Sequence, residues 1–358
     1  MPKATKDEFW NRESLDELTD SVRKAAALKA ALELEIFTRI SEGHRSLPAL
    51  LRSTGFSERG VRLLLDALGN IGLLVKSNFE YSLSPTADTY LVKGKPLYYG
   101  DVLLAQFAWD TRGQLAKSVR SGRAQPSPSA DGSAYSVADW ARWENIVEEF
   151  SRVWQELGVA RANETGLRAL AFGAGAALRM LSLARQNPKT QLLVVDSPPA
   201  LASLRAAVEP FALKAQFEWL EGTWSSVSLP SQPFDLAFVN AVTMYRSFEE
   251  NIGILHRALL ALEMGGRIVL RAPMADDDRR GPDLIPLFGL DILTASAEGD
   301  IYTTTEYRGM LEAAGFFEVR QVGERRDSLT ARRLPPPPPL PPAPTVAPDF
   351  IPPPQTLE

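Results

Sequence analysis

Leu15, Leu18, Val22, Ala25, Leu28, Leu32 and Ile36 recur at steps of three and four residues. That spacing is one face of a helix, so residues 14–40 are predicted to form one or two helices with Ser14 as the N-cap. After a turn at Gly43 a short helix is expected over 46–54, ended by Gly55. Ser57 caps a third helix whose Val61, Leu64, Leu65, Leu68 and Ile71 form a single apolar face. The period then drops to two: Leu73–Val75 and Phe79–Leu83 alternate about a turn at Lys76–Asn78, which predicts a hairpin. Three helices followed by a two-stranded wing make a winged helix. Such modules often bind DNA through a basic helix. Here Arg59 and Arg62 are offset by Glu58 and Asp66, so packing and dimerisation are favoured over DNA binding.

Residues 97–162 read as mostly helical and unusually aromatic, with Tyr98, Tyr99, Phe107, Trp109, Tyr135, Trp140, Trp143, Phe150 and Trp154, and a loop at 121–133. In a helix expected from Val137 to Leu157, Trp140, Trp143, Val147, Phe150 and Trp154 fall on one face. Such a stripe builds core or interface more often than a ligand cage, with a share in an apolar substrate pocket as the alternative. From residue 167 short apolar runs alternate with helical stretches: Leu167–Phe172, a helix to Gln186, Gln191–Val195, Phe217–Leu220, Asp235–Val239, an amphipathic helix over 249–262, and Arg267–Arg271 behind Gly265 and Gly266. Apolar strands separated by helices imply a parallel sheet covered on both faces.

Length and composition narrow the picture further. A chain of 358 residues has room for two domains. A net charge of −5 gives no electrostatic footprint for nucleic acid. With no cysteine and only His44 and His256, disulfides, thiolate metal sites and histidine metal clusters are not expected. The charged N-terminus lacks a signal-peptide core and no long apolar run occurs, so a cytoplasmic address without membrane insertion is the default expectation. After Leu334 the sequence collapses to PPPPPLPPAPTVAPDFIPPPQTLE, expected to be polyproline II or disordered and to serve as a tether, with capture by a proline-binding partner as the alternative.

The chemistry concentrates at Gly173-Ala174-Gly175-Ala176-Ala177, between the first strand of the second half and its helix. A doubly wound sheet binds nucleotide-like ligands at such a place, because glycine lets the backbone approach and the helix start offers free amides. Asp196 ends the next strand about twenty residues on, where a carboxylate can accept both hydroxyls of a ribose. A tight strand-to-helix turn beside a surface acid is the plainer alternative.

These pieces together resemble the O-methyltransferase family that includes plant phenolic and bacterial polyketide and pigment enzymes. The resemblance spans roughly residues 14–330. It rests on AALELEIFTRISEG, LPALLRSTGFSERGVRLLLDALGNIGLL and YSLSPTAD in the first half, and on LAFGAGAA, VVDSPPAL, PFDLAFVNAV, ILHRALLALEMGGRIVLRAP and YTTTEYRGMLEAAGF in the second. It implies an α/β protein: a doubly wound, Rossmann-like S-adenosylmethionine (SAM) methyltransferase domain behind an all-helical winged-helix dimerisation domain. The implied division is 1–100 for dimerisation, 101–165 for a connector lining the substrate pocket, 166–334 for the SAM-binding domain and 335–358 for the Pro-rich tail. It further implies a homodimer, a small-molecule substrate and SAM as cofactor. SAM is expected at Gly173, Ala174, Gly175, Asp196, Ser197, Thr223, Trp224 and Asn240. The family's first acid falls at Ala171, its third glycine at Ala177, its adenine-binding acid at Thr223 and a lysine near the sulfonium at Asn240. Trp224 is placed to stack on the adenine.

The family's general base, a histidine, falls at Met244, its acidic neighbour at Tyr245, and a second acid near Ile301. A thioether cannot take a proton. The leading expectation is therefore methylation of a small aromatic, polyketide-like or pigment-type substrate that needs no strong base, at an acidic oxygen or a ring carbon. Tyr245, Arg246 and Asp291 are candidates for orienting the substrate or stabilising an enolate. The alternatives are a methyltransferase fold turned to non-methylating natural-product chemistry, and a catalytically inactive dimeric scaffold. An NAD-dependent dehydrogenase shares the glycine loop and ribose acid, but the helical-domain-first order and the late Gly-Gly argue against it.

Overall fold

A computed structural model describes residues 10–107, 109–125, 143–159, 166–209, 212–282 and 284–334. The Pro-rich segment, Tyr135, Trp140 and most of the 121–133 loop lie outside these residues.

The first half begins with helices α1 (Arg12–Glu33), α2 (Ile36–Ser41), α3 (Leu47–Thr54) and α4 (Glu58–Asn70). The α1 cap is Asn11, not Ser14: the Asn11 carboxamide oxygen accepts the Ser14 amide at 2.9 Å, so the helix starts earlier than its apolar pattern does. Glu35, at φ 55°, separates α1 from α2. Ser57 caps α4 as expected, Ser46 proves to be the cap of α3 rather than its first residue, and Gly55 ends α3 at φ 69°. The hairpin is β1 (Leu74–Ser77) and β2 (Glu80–Leu83). Its turn is Asn78–Phe79, both at positive φ, as a two-residue hairpin loop requires, so Phe79 belongs to the turn rather than to the strand. The C-terminal half of α1 enters a core with Phe37, Ile40, Leu50, Leu65, Leu68 and Tyr81. The N-terminal half does not: Leu15, Leu18 and Val22 are more than half exposed.

Helices α5 (Pro85–Tyr90), α6 (Gly100–Phe107), α7 (Trp109–Arg112), α8 (Leu115–Ser121) and α9 (Trp143–Glu156) connect to the second half. There β3 (Arg168–Phe172), α10 (Ala174–Gln186), β4 (Gln191–Asp196), α11 (Pro198–Val208), β5 (Phe217–Glu221), β6 (Phe234–Asn240), α12 (Phe248–Ala261) and β7 (Leu262–Arg271) follow. Helices α13 (Ile285–Ala295) and α14 (Thr304–Ala313) precede β8 (Phe317–Val322) and β9 (Ser328–Arg332). The seven strands lie in the order β5-β4-β3-β6-β7-β9-β8. All pairings are parallel except β7–β9 and β8–β9.

The alternation of side chains sorts the sheet residues onto two faces. Ala169, Ala171, Leu192, Val194, Leu236, Phe238 and Val269 meet α9, α10 and α11. Leu170, Phe172, Leu193, Val195, Ala237, Val239, Ile268 and Leu270 meet α12 and α14. On the first face Trp154 is wholly buried and packs edge-on to Phe238, with ring centroids 5.6 Å apart. Its indole N–H donates to Ser182 Oγ at 2.8 Å. Phe150 and Trp154 are therefore core residues of the second domain; the side chains of Trp143 and Val147 lie outside the described set.

Candidate active site

The strand order reverses direction between β4–β3 and β3–β6, and a crevice at the carboxyl ends of strands opens at such a switch point. Gly173, Asp196, Glu221 and Asn240 stand there, each at the end of its strand. Gly173 adopts φ 96° and ψ 141°, a conformation that favours glycine. A Cβ at Gly173 would lie 3.2 Å from Val242 Cγ1, 3.8 Å from the Asn240 carbonyl oxygen and 4.0 Å from Asp196 Oδ2. The missing side chain thus leaves space bounded by the ribose-acid candidate and the end of β6. The third family glycine, Ala177, is wholly buried, and its methyl belongs to the core under α10.

Asp196 is half-buried; its Oδ1 accepts the Ser197 amide at 2.6 Å and its carbonyl accepts the Gly222 amide at 3.0 Å. Ser197 is the exposed N-cap of α11. The Thr223 hydroxyl donates to Ser226 Oγ at 2.9 Å and lies 2.9 Å from Ser225 Oγ, within the turn that follows β5. Trp224 packs against the α12 side of the sheet, and its buried indole N–H has no acceptor among the described residues. Asn240 is only 6% exposed, and its Oδ1 has no donor among the described residues. The structure thus brings Gly173, Asp196 and Asn240 together at the carboxyl end of the sheet, with Thr223 and Trp224 beyond the neighbouring strand.

The segment after β6 is tightly held. Ala241 takes φ 57°, left-handed for a residue with a Cβ. A single 3-10 turn, Thr243–Tyr245, then carries Met244. Asn251 Nδ2 donates to the Thr243 carbonyl at 2.8 Å, Ser296 Oγ to the Tyr245 carbonyl at 2.8 Å, and Tyr302 Oη to the Arg246 carbonyl at 2.7 Å. Tyr307 Oη lies 2.9 Å from Thr243 Oγ1. Burial pushes the Tyr302 hydroxyl up to about 12 and raises Tyr307 as well, so both remain neutral. Met244 is 1% exposed in a cluster with Ala275, Ile292 and Ile301. Gly299 lies so close that a Cβ there would collide with the Met244 carbonyl oxygen. Tyr245 lies at the edge of this cluster.

Asp291 is bound at two points by Arg112, Nε to Oδ1 and Nη2 to Oδ2 at 2.9 Å each, which fastens α13 to α7. His256 Nδ1 contacts the Ala314 carbonyl at 3.0 Å, away from the crevice. Among the described residues no group of three or more metal-ligating side chains occurs, and no helix is long and apolar enough to cross a membrane. One residue escaped the sequence reading. Arg271 ends β7 beside Asn240, pairs with Asp327 at 2.8 Å and lies 5.9 Å from the Phe150 ring centroid. The signal was an arginine closing the apolar run Ile268–Leu270.

Comparison with known proteins matches residues 16–93 to the O-methyltransferase dimerisation domain and 147–317 to the O-methyltransferase domain. The chain is 27% identical over 314 residues to a 3-hydroxy-5-methyl-1-naphthoate 3-O-methyltransferase of Streptomyces sahachiroi, covering 86% of this chain and 90% of the relative. It is 28% identical over 330 residues to the tetracenomycin polyketide synthesis 8-O-methyl transferase TcmO of Streptomyces glaucescens, covering 89% and 96%. Human N-acetylserotonin methyltransferase, solved with SAM, superposes with a TM-score of 0.70 at 22% identity over 93% of this chain and 99% of that one. Both domain models, matched in order on a chain whose sheet carries Gly173 and Asp196 at its switch point, place it in the SAM-dependent O-methyltransferase family.

Proposed function

We propose that the protein methylates a small aromatic or polyketide-like substrate at an oxygen or carbon acidic enough to need no side-chain base. Met244 carries this reading: at the family's base position stands a thioether, sealed in an apolar cluster and unable to accept a proton. The relatives named for a hydroxynaphthoate and for tetracenomycin polyketide synthesis support the substrate class. SAM, when bound, supplies an electrophilic methyl group on a sulfonium. Asp196 fits its ribose and the bare backbone at Gly173 fits its amino-acid chain, while Ala174 and Gly175 begin α10 and Ser197 caps α11. Thr223 and Trp224 sit where an adenine would lie beyond β5. The protein's part is to hold the two reactants in line and dry. Tyr245 and Arg246, on a loop pinned at three carbonyls, orient the acceptor; Asp291 acts on it indirectly, by fixing α13.

Without a titrating base, log(kcat/KM) should climb with unit slope to the acceptor's own pKa and then level, and the break should follow that pKa across a substrate series. Met244→Leu conserves volume and should leave kcat/KM within about threefold. A break fixed near the histidine range, about 6.5, whatever the substrate, would sink the proposal.

We also propose that a second copy of the chain covers the exposed α1 stripe of Leu15, Leu18 and Val22. The stripe is continuous with the matched dimerisation domain. Sedimentation should give twice the chain mass for the native protein and one chain mass for Leu18→Glu/Val22→Glu. A native monomer, or a dimer indifferent to both charges, would contradict it.

A further inference from the structure

Among the described residues, two buried polar atoms at the carboxyl end of the sheet lack hydrogen-bond partners, and they are of opposite sense. Asn240 Oδ1 is an acceptor and Arg271 Nε a donor. The β6–β7 register sets Asn240 beside Arg271, and paired strands lie about 4.8 Å apart. Both side chains share the face of Phe238 and Val269, toward α9, where the Arg271 guanidinium stands over Phe150. Extending the β3–β6 register by one residue past Phe172 and Val239 puts Gly173 level with Asn240. The close approach of a Gly173 Cβ to the Asn240 carbonyl agrees with that placement. Native chains seldom leave such groups unsatisfied, and two side by side call for a ligand that donates to one and accepts from the other. An α-amino acid group does both, through its ammonium and its carboxylate.

We propose that Asn240 Oδ1 accepts the ammonium, and Arg271 Nε–H donates to the carboxylate, at the amino-acid end of SAM. The pair would stand in for the acid that the family carries where this chain has Ala171. Ala171 lies on the same face, one row below Asn240 and level with Phe238. The ion pair between Arg271 and Asp327 offsets the guanidinium charge, so the inner N–H donates without setting an uncompensated cation beside a sulfonium. The assignment rests on the SAM-dependent reading above and adds to it a division of labour: Asp196 for the nucleoside, Asn240 and Arg271 for the amino acid.

Calorimetry on the full chain with S-adenosylhomocysteine and with 5′-methylthioadenosine, which has the nucleoside but no amino acid, separates the two parts. Asn240→Leu should weaken S-adenosylhomocysteine by about 10- to 100-fold and change 5′-methylthioadenosine by less than about twofold. Arg271→Lys keeps the charge but moves the donor, and should cost S-adenosylhomocysteine about 3- to 10-fold, again with 5′-methylthioadenosine unmoved. Equal weakening of both ligands, or S-adenosylhomocysteine binding unchanged in both variants, overturns the proposal. If the native chain binds neither ligand, the SAM reading falls and this one with it; 5′-methylthioadenosine binding with indifferent variants overturns only the amino-acid assignment.

Discussion

Replacing Asp196 with alanine should weaken S-adenosylhomocysteine by at least about 100-fold while leaving the melting temperature nearly unchanged. Two ribose hydroxyls donating to one carboxylate are charge-assisted hydrogen bonds, each contributing about 1.5–3 kcal/mol. The structural loss is smaller. Asp196 is half-buried at a strand end, and its carboxylate takes the Ser197 amide, which water can satisfy instead. 5′-Methylthioadenosine should lose as much affinity as S-adenosylhomocysteine, in contrast to the Asn240 variant. Affinity within about threefold of native would show that the acid at the end of β4 does not read the ribose.

The second large effect concerns the fold. Trp154→Ala should cost about 3–5 kcal/mol, the range for emptying a buried aromatic site. For a domain of this size that lowers the melting temperature by roughly 10 °C. Trp154 is wholly buried, packs edge-on to Phe238 and is anchored through Ser182. Removing it detaches α9 from the sheet on the face that also carries Asn240 and Arg271. A loss under about 3 °C in a thermal scan would mean that α9 is not part of the cooperative unit.

Periodicity made much of this molecule legible. The helix at 58–70 was readable because Val61, Leu65 and Leu68 must share a face to be buried. Strands β3, β4 and β6 were readable because a strand buried on both sides is a largely apolar run. Polar local chemistry was harder. Asn11 took the cap from Ser14 because a cap is chosen by backbone geometry just upstream of the periodic residues. Phe79 looked like a strand residue, but its place in a two-residue turn leaves it 88% exposed. The β8–β9 pair went unpredicted: Phe317–Val322 is largely exposed on both faces, so no clean alternation marks it. At the site, Gly173 and Asp196 were singled out from strand ends and spacing, and Asn240 from the family resemblance. Arg271 did not, because its meaning depends on β7 lying next to β6, a relation between segments thirty positions apart that no local pattern encodes.

The position of β9 bears on how the molecule is made. It is the last strand among the described residues, yet it sits inside the sheet between β7 and β8. During synthesis β7 therefore presents an unpaired apolar edge from the emergence of Arg271 until Ser328 follows, roughly 60 positions later. At the usual pace of translation that is on the order of 3–12 s. A nascent chain in that interval holds a five-stranded sheet ending at β7, and β8, once made, has nothing to pair with until β9 arrives between them. A ribosome stalled there would display a sticky β-edge, and a nonsense change before residue 328 would remove an interior strand rather than trim a margin.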